Sequence, residues 1–146
     1  MLNQDFKEFA ELLNAHGVDY LVVGGYALAV HGHPRYTGDI DFWLRSSEAN
    51  VQRVMEALRA FGFGSLGLRA EDFAADAVIQ LGQPPRRIDL LMSIDGVSFE
   101  DCYQRREMVE VNGVKMNFIG LDDFKTNKRA SGRHKDLADL ESLDED

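Results

Sequence analysis

YLVVGGYALAVHGHPRYTGDIDFWL, residues 20–44, is the stretch of sequence from which the fold can be worked out. Its apolar run, residues 20–23, predicts a strand, and the small residues at 26–31 have helical spacing. Gly24 and Gly25 between them predict a tight turn where the backbone can approach a ligand closely. A helix that begins at such a turn presents unpaired N–H groups and the positive end of its dipole, so the sequence predicts a place for a phosphate here.

A second strand is predicted at residues 39–44, after Pro34. Asp39 and Asp41 lie two positions apart on it, so their carboxylates project from the same face, with Cα atoms roughly 6.5 Å apart. Carboxylate oxygens are hard anionic ligands that suit Mg²⁺ bound together with the phosphates of a nucleotide. The two acids therefore predict a Mg²⁺ site beside the glycine turn.

The composition indicates a single domain, residues 1–146, because 146 residues with 45% hydrophobic content can build one core. The N-terminal residues lack the pattern of a signal peptide and no apolar stretch reaches membrane-spanning length, so we expect a cytoplasmic protein with no membrane contact. Cys102 is the only cysteine, which is typical of a reducing compartment. A net charge of -9 argues against an extended nucleic-acid-binding face.

The rest of the chain predicts further helices and strands, and hence an α/β (α+β) fold. Asn112-Gly113 is a strong signal for a hairpin between two of the strands, because both residues tolerate positive φ. Residues 63–76 show no clear period and are predicted to be irregular. The predicted helices are 3–15, the segment from Ser47 to Phe61, 98–106, 121–131 and 134–143, and the predicted strands are 77–81, 87–94, 108–111 and 114–119.

Asp89 adds a third acid, in the run RRIDLLM. Its neighbours are apolar, and its strand is expected to lie beside the strand at 39–44. Three carboxylates on one face of a sheet repel each other strongly without a cation. Asp39, Asp41 and Asp89 are therefore predicted to bind metal together.

The series Gly24-Gly25, Asp39-Ile40-Asp41 and Asp89 resembles the nucleotidyltransferases of the DNA polymerase β superfamily, whose signature is GG or GS followed by a strand with two alternating acids. The run NKRASGRHKDLADLE, residues 127–141, further resembles small bacterial members related to the toxin component of AbiEii-type abortive-infection systems. The resemblance implies a minimal nucleotidyltransferase fold, a mixed sheet flanked by helices, with the C-terminal helices 121–143 as part of it.

The implied reaction moves a nucleoside monophosphate from an NTP such as ATP to a hydroxyl acceptor and releases pyrophosphate. Carried over by position, Gly24 and Gly25 hold the triphosphate, and the catalytic acids Asp39 and Asp41 ligate Mg²⁺ or Mn²⁺. Asp89 joins the second metal ion and helps to deprotonate or orient the acceptor hydroxyl.

The C-terminal motif of the toxin-like relatives matches this chain at Lys128 and Asp136, which implies a catalytic and nucleotide-binding role for Lys128 and a nucleotide-binding role for Asp136. The rival interpretation of Lys128 is a solvated face of ion pairs. Asp136 either balances nearby basic residues or orients Lys128. Arg35 and Thr37 are candidates for phosphate contact, and pairing of Arg35 with Asp39 is an equally good interpretation.

The sequence does not identify the hydroxyl acceptor, which is RNA, a protein or a small molecule. The resemblance also raises a toxin–antitoxin or phage-defence role with a cognate partner protein. The alternative is a catalytically inactive nucleotide-binding or protein-interaction module with the same fold. Its motivation is Gly25, which stands where many active members have serine.

Overall fold

The chain folds into a mixed β-sheet flanked by α-helices, and the computed structural model describes residues 2–33 and 38–144. The strands are β1 (Tyr20–Val23), β2 (Asp39–Leu44), β3 (Val78–Leu81), β4 (Arg87–Leu91), β5 (Glu107–Val111) and β6 (Val114–Phe118). The α-helices are α1 (Gln4–Ala15), α2 (Gly24–Val30), α3 (Glu48–Phe61), α4 (Phe99–Gln104), α5 (Leu121–Ser131) and α6 (His134–Asp144). The predicted α/β class with a mixed sheet is confirmed.

The sheet has the strand order β3-β4-β2-β1-β6-β5. The β3–β4 and β5–β6 pairs are antiparallel hairpins, β2 is antiparallel to β1, and β2 is parallel to β4. In the β2–β4 register Asp41 lies opposite Asp89, and in the β1–β2 register Val23 lies opposite Asp41. The topology thus places acids from two separate parts of the chain on neighbouring strands, next to the end of β1.

Opposite faces of β2 pack against different helices. Phe42 contacts Phe9 of α1, with ring centroids 5.5 Å apart, whereas Trp43 contacts Phe99 of α4 at 5.2 Å. Since successive strand residues point to opposite faces, Asp39 and Asp41 share the face of Trp43. The hydrophobic core behind Phe42 therefore supports the strand, and the acids lie on the other face.

Two predicted segments differ from the structure. Residues 63–76, predicted to be irregular, contain two short 3-10 helices, Gly64–Leu66 and Ala70–Phe73, and the second is anchored by the buried Phe73. The strand predicted at 87–94 ends at Leu91, because the following loop turns toward α5, where Asn127 Nδ2 donates a hydrogen bond to the Asp95 carbonyl oxygen at 2.9 Å. In the described part of the chain, every helix is too short or too polar to span a lipid bilayer.

Candidate functional site

Three carboxylates meet on the β2–β4 pair. One oxygen atom from each of Asp39, Asp41 and Asp89 lies within 4.8 Å of the other two. Asp89 is buried, and the other two are partly exposed. Oxygen ligands at this spacing suit a divalent cation such as Mg²⁺. The structure thus brings together the three acids that the sequence singled out.

The electrostatics of these acids also fit a bound cation. Burial, followed by the negative charges of Asp39 and Asp89, raises the pKa of Asp41 to about 8. Burial likewise raises the pKa of Asp89, although its contacts with Arg87 oppose the rise. A divalent cation favours the ionised form of all three groups and relieves their repulsion. The donor set and its unbalanced negative charge are therefore what a Mg²⁺ or Mn²⁺ site requires.

Arg87, which was not among the predicted site residues, contacts two of the acids. Its Nε donates to Asp89 Oδ1 at 2.9 Å, and its Nη2 donates to Asp89 Oδ2 and to Asp39 Oδ2, both at 3.1 Å. The signal for this contact was present in the run RRID, because residues 87 and 89 alternate on one strand and so project from the same face. Arg87 is thus a fixed positive charge within the carboxylate cluster.

Gly24 lets the backbone approach Asp41. Its φ is +70°, and a Cβ added there would lie less than 3.0 Å from Asp41 Oδ2. The helix predicted to begin at Tyr26 begins at Gly24 itself, so Gly24 and Gly25 are the first two residues of α2 and do not form a separate turn. The glycine at position 24 is therefore required both by backbone conformation and by the carboxylate beside it.

An open cleft of about 350 Å³ runs from Asp41 to α5. That volume lies within the range of small-molecule sites in proteins. One wall includes Gly24, Asp41 and Leu91, and the other includes Asn127, Lys128 and Arg133. The cleft therefore joins the carboxylate cluster to basic side chains near the C-terminus.

Lys128 is buried at this second wall. Its Nζ donates to Asp136 Oδ1 at 2.9 Å and lies 5.2 Å from the centroid of the Phe124 ring. Asp136 is fully buried and also accepts hydrogen bonds from Ser131 and from Arg133. Lys128 therefore forms an ion pair, but in a buried position and not on a solvated face. Asp136 both balances Arg133 and contacts Lys128, so its two interpretations hold together.

Asp136→Asn is expected to destabilise the fold by about 3 kcal/mol at pH 7, because it removes the carboxylate that lies 2.9 Å from the buried Lys128 ammonium and leaves, among the described carboxylates, only Asp139, at 4.0 Å. Burial alone would raise the pKa of Asp136, but hydrogen bonds from Arg133, Ser131 and Lys128 outweigh it and hold the pKa below its usual range. A lowered pKa contributes stability that is present above the unfolded-state pKa of about 3.9 and is lost as the pH falls below it.

Urea denaturation of the wild type and the Asp136→Asn variant at a series of pH values measures this effect. The difference in unfolding free energy between the two proteins should shrink below about pH 4. Glu141→Gln, at an exposed position on the same helix, is the matched control and should change little. A difference that stays constant down to acid pH would contradict the role assigned to the Asp136 charge.

Arg133 lies at the mouth of the cleft, with 71% of its side chain exposed. Its Nε donates to Asp136 Oδ2 at 2.7 Å. That hydrogen bond and the charge of Asp136 raise the pKa of Arg133, with smaller contributions from Asp95 and Asp41. The sequence signal was the cluster of five basic residues at 125–135, but spacing alone did not distinguish Arg133 from its neighbours.

The remaining predicted residues, Arg35 and Thr37, lie outside the described residues, so their phosphate contacts stay a prediction. The described site therefore consists of three carboxylates, the contact of Gly24 with Asp41, and a wall that carries Lys128 and Arg133.

Comparison with known proteins agrees with this geometry. The model of a protein family described as "Nucleotidyltransferase of unknown function (DUF6036)" matches residues 2–144. A search among proteins of curated function finds no match.

Two solved structures are similar in fold. A proposed nucleotidyltransferase from Thermotoga maritima has a TM-score of 0.60 and 17% identity, with 96% of this chain and 88% of that chain covered. An antigenic nucleotidyltransferase-like protein from Paracoccidioides brasiliensis has a TM-score of 0.57 and 17% identity, with 97% and 77% covered. At this identity the likeness establishes a shared fold.

Proposed function

Because the chain belongs to the nucleotidyltransferase family DUF6036, we propose that it moves a nucleoside monophosphate from an NTP to a hydroxyl acceptor with a divalent metal ion. The observation that carries the proposal is the convergence of Asp39, Asp41 and Asp89 within 4.8 Å, at one end of a cleft whose far wall is basic. Transfer of this kind needs a cation beside the reacting phosphate and positive charge along the polyphosphate.

Asp39, Asp41 and Asp89 are proposed to hold Mg²⁺ or Mn²⁺. A bound divalent cation supplies charge neutralisation at the attacking and leaving oxygens. Asp89, which lies opposite Asp41 on β4, is proposed to orient the acceptor hydroxyl and receive its proton. Gly24 is proposed to let the Asp41 carboxylate lie against the backbone, because a side chain at position 24 would displace it.

Lys128 and Arg133 are proposed to bind the polyphosphate. The Lys128 ammonium is fixed by Asp136 at 2.9 Å, so little side-chain entropy is lost when it also meets a phosphate. Arg133 is held at Nε by Asp136, and its exposed guanidinium offers further donors with the planar geometry that suits phosphate oxygens. Asp136 thus orients the side chains of Lys128 and Arg133 toward one side of the cleft.

Labelled transfer tests the proposal. The protein is incubated with each α-³²P-labelled NTP, Mg²⁺ and a fractionated cell extract, and label is sought on RNA, protein and small molecules. Label that depends on Mg²⁺ and is absent with Asp41→Asn supports the proposal. NTP binding in calorimetry without any Mg²⁺-dependent pyrophosphate release would instead support the inactive binding module.

A finer proposal is a relationship to AbiEii-type toxin nucleotidyltransferases, and with it a cognate partner protein. The 2.9 Å contact between Lys128 and Asp136, the two positions that match the toxin-like motif, supports it. Growth arrest on expression of the wild type but not of Asp41→Asn is the expected result. Normal growth with the active enzyme would contradict the toxin role and leave the transfer chemistry in place.

Arg133→Gln is expected to raise KM for the NTP about 10-fold and to change kcat little. The reason is that a charge-assisted contact to phosphate contributes about 1.5–3 kcal/mol, and about 1.4 kcal/mol corresponds to a factor of ten. Steady-state pyrophosphate release measures both constants. Arg129→Gln removes the same charge from an exposed position on α5 outside the cleft wall and is the control. Equal effects of the two variants would point to a general charge effect.

A further inference from the structure

Arg87 holds two of the three acids of the candidate metal centre in a paired contact. Its Nε and Nη2 bond both carboxylate oxygens of Asp89, at 2.9 and 3.1 Å, and the same Nη2 reaches Asp39 Oδ2 at 3.1 Å. A guanidinium in such a forked contact has a fixed orientation. A permanent positive charge therefore already lies between Asp39 and Asp89.

This charge changes how many metal ions the cluster can accept. A bound cation favours the ionised form of all three carboxylates, which then carry three negative charges. Arg87 balances one of these charges, and a single divalent cation balances the other two. Among the hydrogen bonds of the described residues, those of Arg87 go to Asp39 and Asp89 and none goes to Asp41. A first ion next to Asp41 thus does not compete with Arg87, whereas a second ion next to Asp89 meets the guanidinium and a cluster whose charge the first ion has balanced.

We propose that Arg87 is a positioning residue that takes the place of the second divalent ion, so that the nucleotide-free protein binds one ion. The second ion enters only with the NTP, whose polyphosphate restores the negative charge that Arg87 cancels. This inference rests on the proposed function in one respect, which is that the three acids bind a divalent cation. Its consequence is that the two-ion state forms only when substrate is present.

The test counts Mn²⁺ ions bound to the full chain without nucleotide, by electron paramagnetic resonance of free Mn²⁺. Wild type is expected to bind one ion. Arg87→Met, which removes the charge and keeps a long side chain, is expected to bind two, and Arg87→Lys, which keeps the charge, is expected to bind one. A purely structural role for Arg87 would lower affinity without adding a second ion.

The outcomes separate the inference from the proposed function. Wild type that binds no Mn²⁺ overturns the metal centre and the inference together. One ion in wild type and one in a folded Arg87→Met overturns the inference alone, as do two ions in wild type or in Arg87→Lys.

If Arg87→Met does not fold, a measurement on wild type tests the inference instead. The Arg87 side-chain Nε–H signal in ¹⁵N nuclear magnetic resonance should persist through one equivalent of Mg²⁺. It should move when a second equivalent is added together with a non-hydrolysable NTP analogue. Loss of the signal at the first equivalent, without nucleotide, overturns the inference.

Discussion

Asp41→Asn is expected to abolish nucleotidyl transfer and, at the same time, to stabilise the metal-free protein at pH 8. The loss of transfer should be at least about 10³-fold, because Asp41 is the acid closest to Gly24 and removal of its charge takes a ligand from the metal. The gain in stability has the same origin, which is the closeness of the three carboxylates. Without a cation, a third negative charge beside Asp39 and Asp89 costs free energy.

The pKa of Asp41 determines the pH range in which its negative charge lowers the stability of the metal-free protein. Burial and the two neighbouring acids raise the pKa of Asp41 to about 8, above its unfolded-state value of about 3.9. A raised pKa contributes stability that is fully present below about pH 4 and is lost as the pH rises through about 8. Wild type in EDTA should therefore lose stability across this window, and Asp41→Asn should lose less.

Thermal unfolding in EDTA at pH 5 and pH 8 measures the effect. At pH 8 the variant should be more stable by about 2 kcal/mol, which is less than the full pKa shift implies because solvent in the open cleft screens the charges. This difference corresponds to roughly 6 °C in Tm. Mg²⁺ should raise the Tm of wild type and leave that of the variant nearly unchanged. Asp122→Asn, at an exposed position, is the control. A variant less stable than wild type at pH 8 would show that Asp41 is a structural residue.

Gly24→Ala is expected to have the second largest effect, with loss of both stability and metal binding. The new methyl group would meet Asp41 Oδ2 at less than 3.0 Å, and a φ of +70° is strained for alanine. The strain alone costs about 1 kcal/mol, and displacement of the carboxylate or of α2 adds about 1–3 kcal/mol. Because Asp41 must move, Mn²⁺ affinity should fall about 10-fold or more.

Gly67→Ala is a matched control for this substitution. Gly67 has nearly the same backbone angle, a φ of +69°, but among the described residues no atom beyond its two chain neighbours lies within 4 Å of the Cβ that alanine would add. The Gly67→Ala variant should therefore lose only the stability that the strained backbone angle costs, and its Mn²⁺ binding should be unchanged. Urea denaturation and Mn²⁺ titration of both variants make the comparison. Equal losses of stability and unchanged Mn²⁺ binding in both would mean that the approach of Asp41 to Gly24 has no functional consequence.

The central strands and their acids could be predicted because their signals are local. The alternation of Asp39 and Asp41 on an apolar strand fixes the face to which both point, whatever the strand pairs with. The strand of Asp89 was expected to lie beside the strand at 39–44, and the parallel β2–β4 pairing confirms this. Period and turn signals were therefore enough to predict the carboxylate cluster.

The positively charged side chains of the site were harder to predict, because their positions depend on tertiary packing. Helical spacing placed Lys128 on a surface face with Lys125, but α6 packs over α5 and buries Lys128 against Asp136. The alternation of Arg87 and Asp89 on one strand was a local signal for their contact. The partner of Arg133 lies on the following helix, and the charge spacing did not distinguish Arg133 from its basic neighbours.

The most direct measurement of the central claim is a crystal structure with Mn²⁺ and a non-hydrolysable NTP analogue, with anomalous scattering used to locate the metal. The expected result is an anomalous peak bound by carboxylate oxygens of Asp39 and Asp41, with the polyphosphate extending toward Lys128 and Arg133. Asp89 should lie within reach of the space beside the α-phosphate. Mn²⁺ bound elsewhere, or a nucleotide remote from the three acids, would contradict the proposed active site.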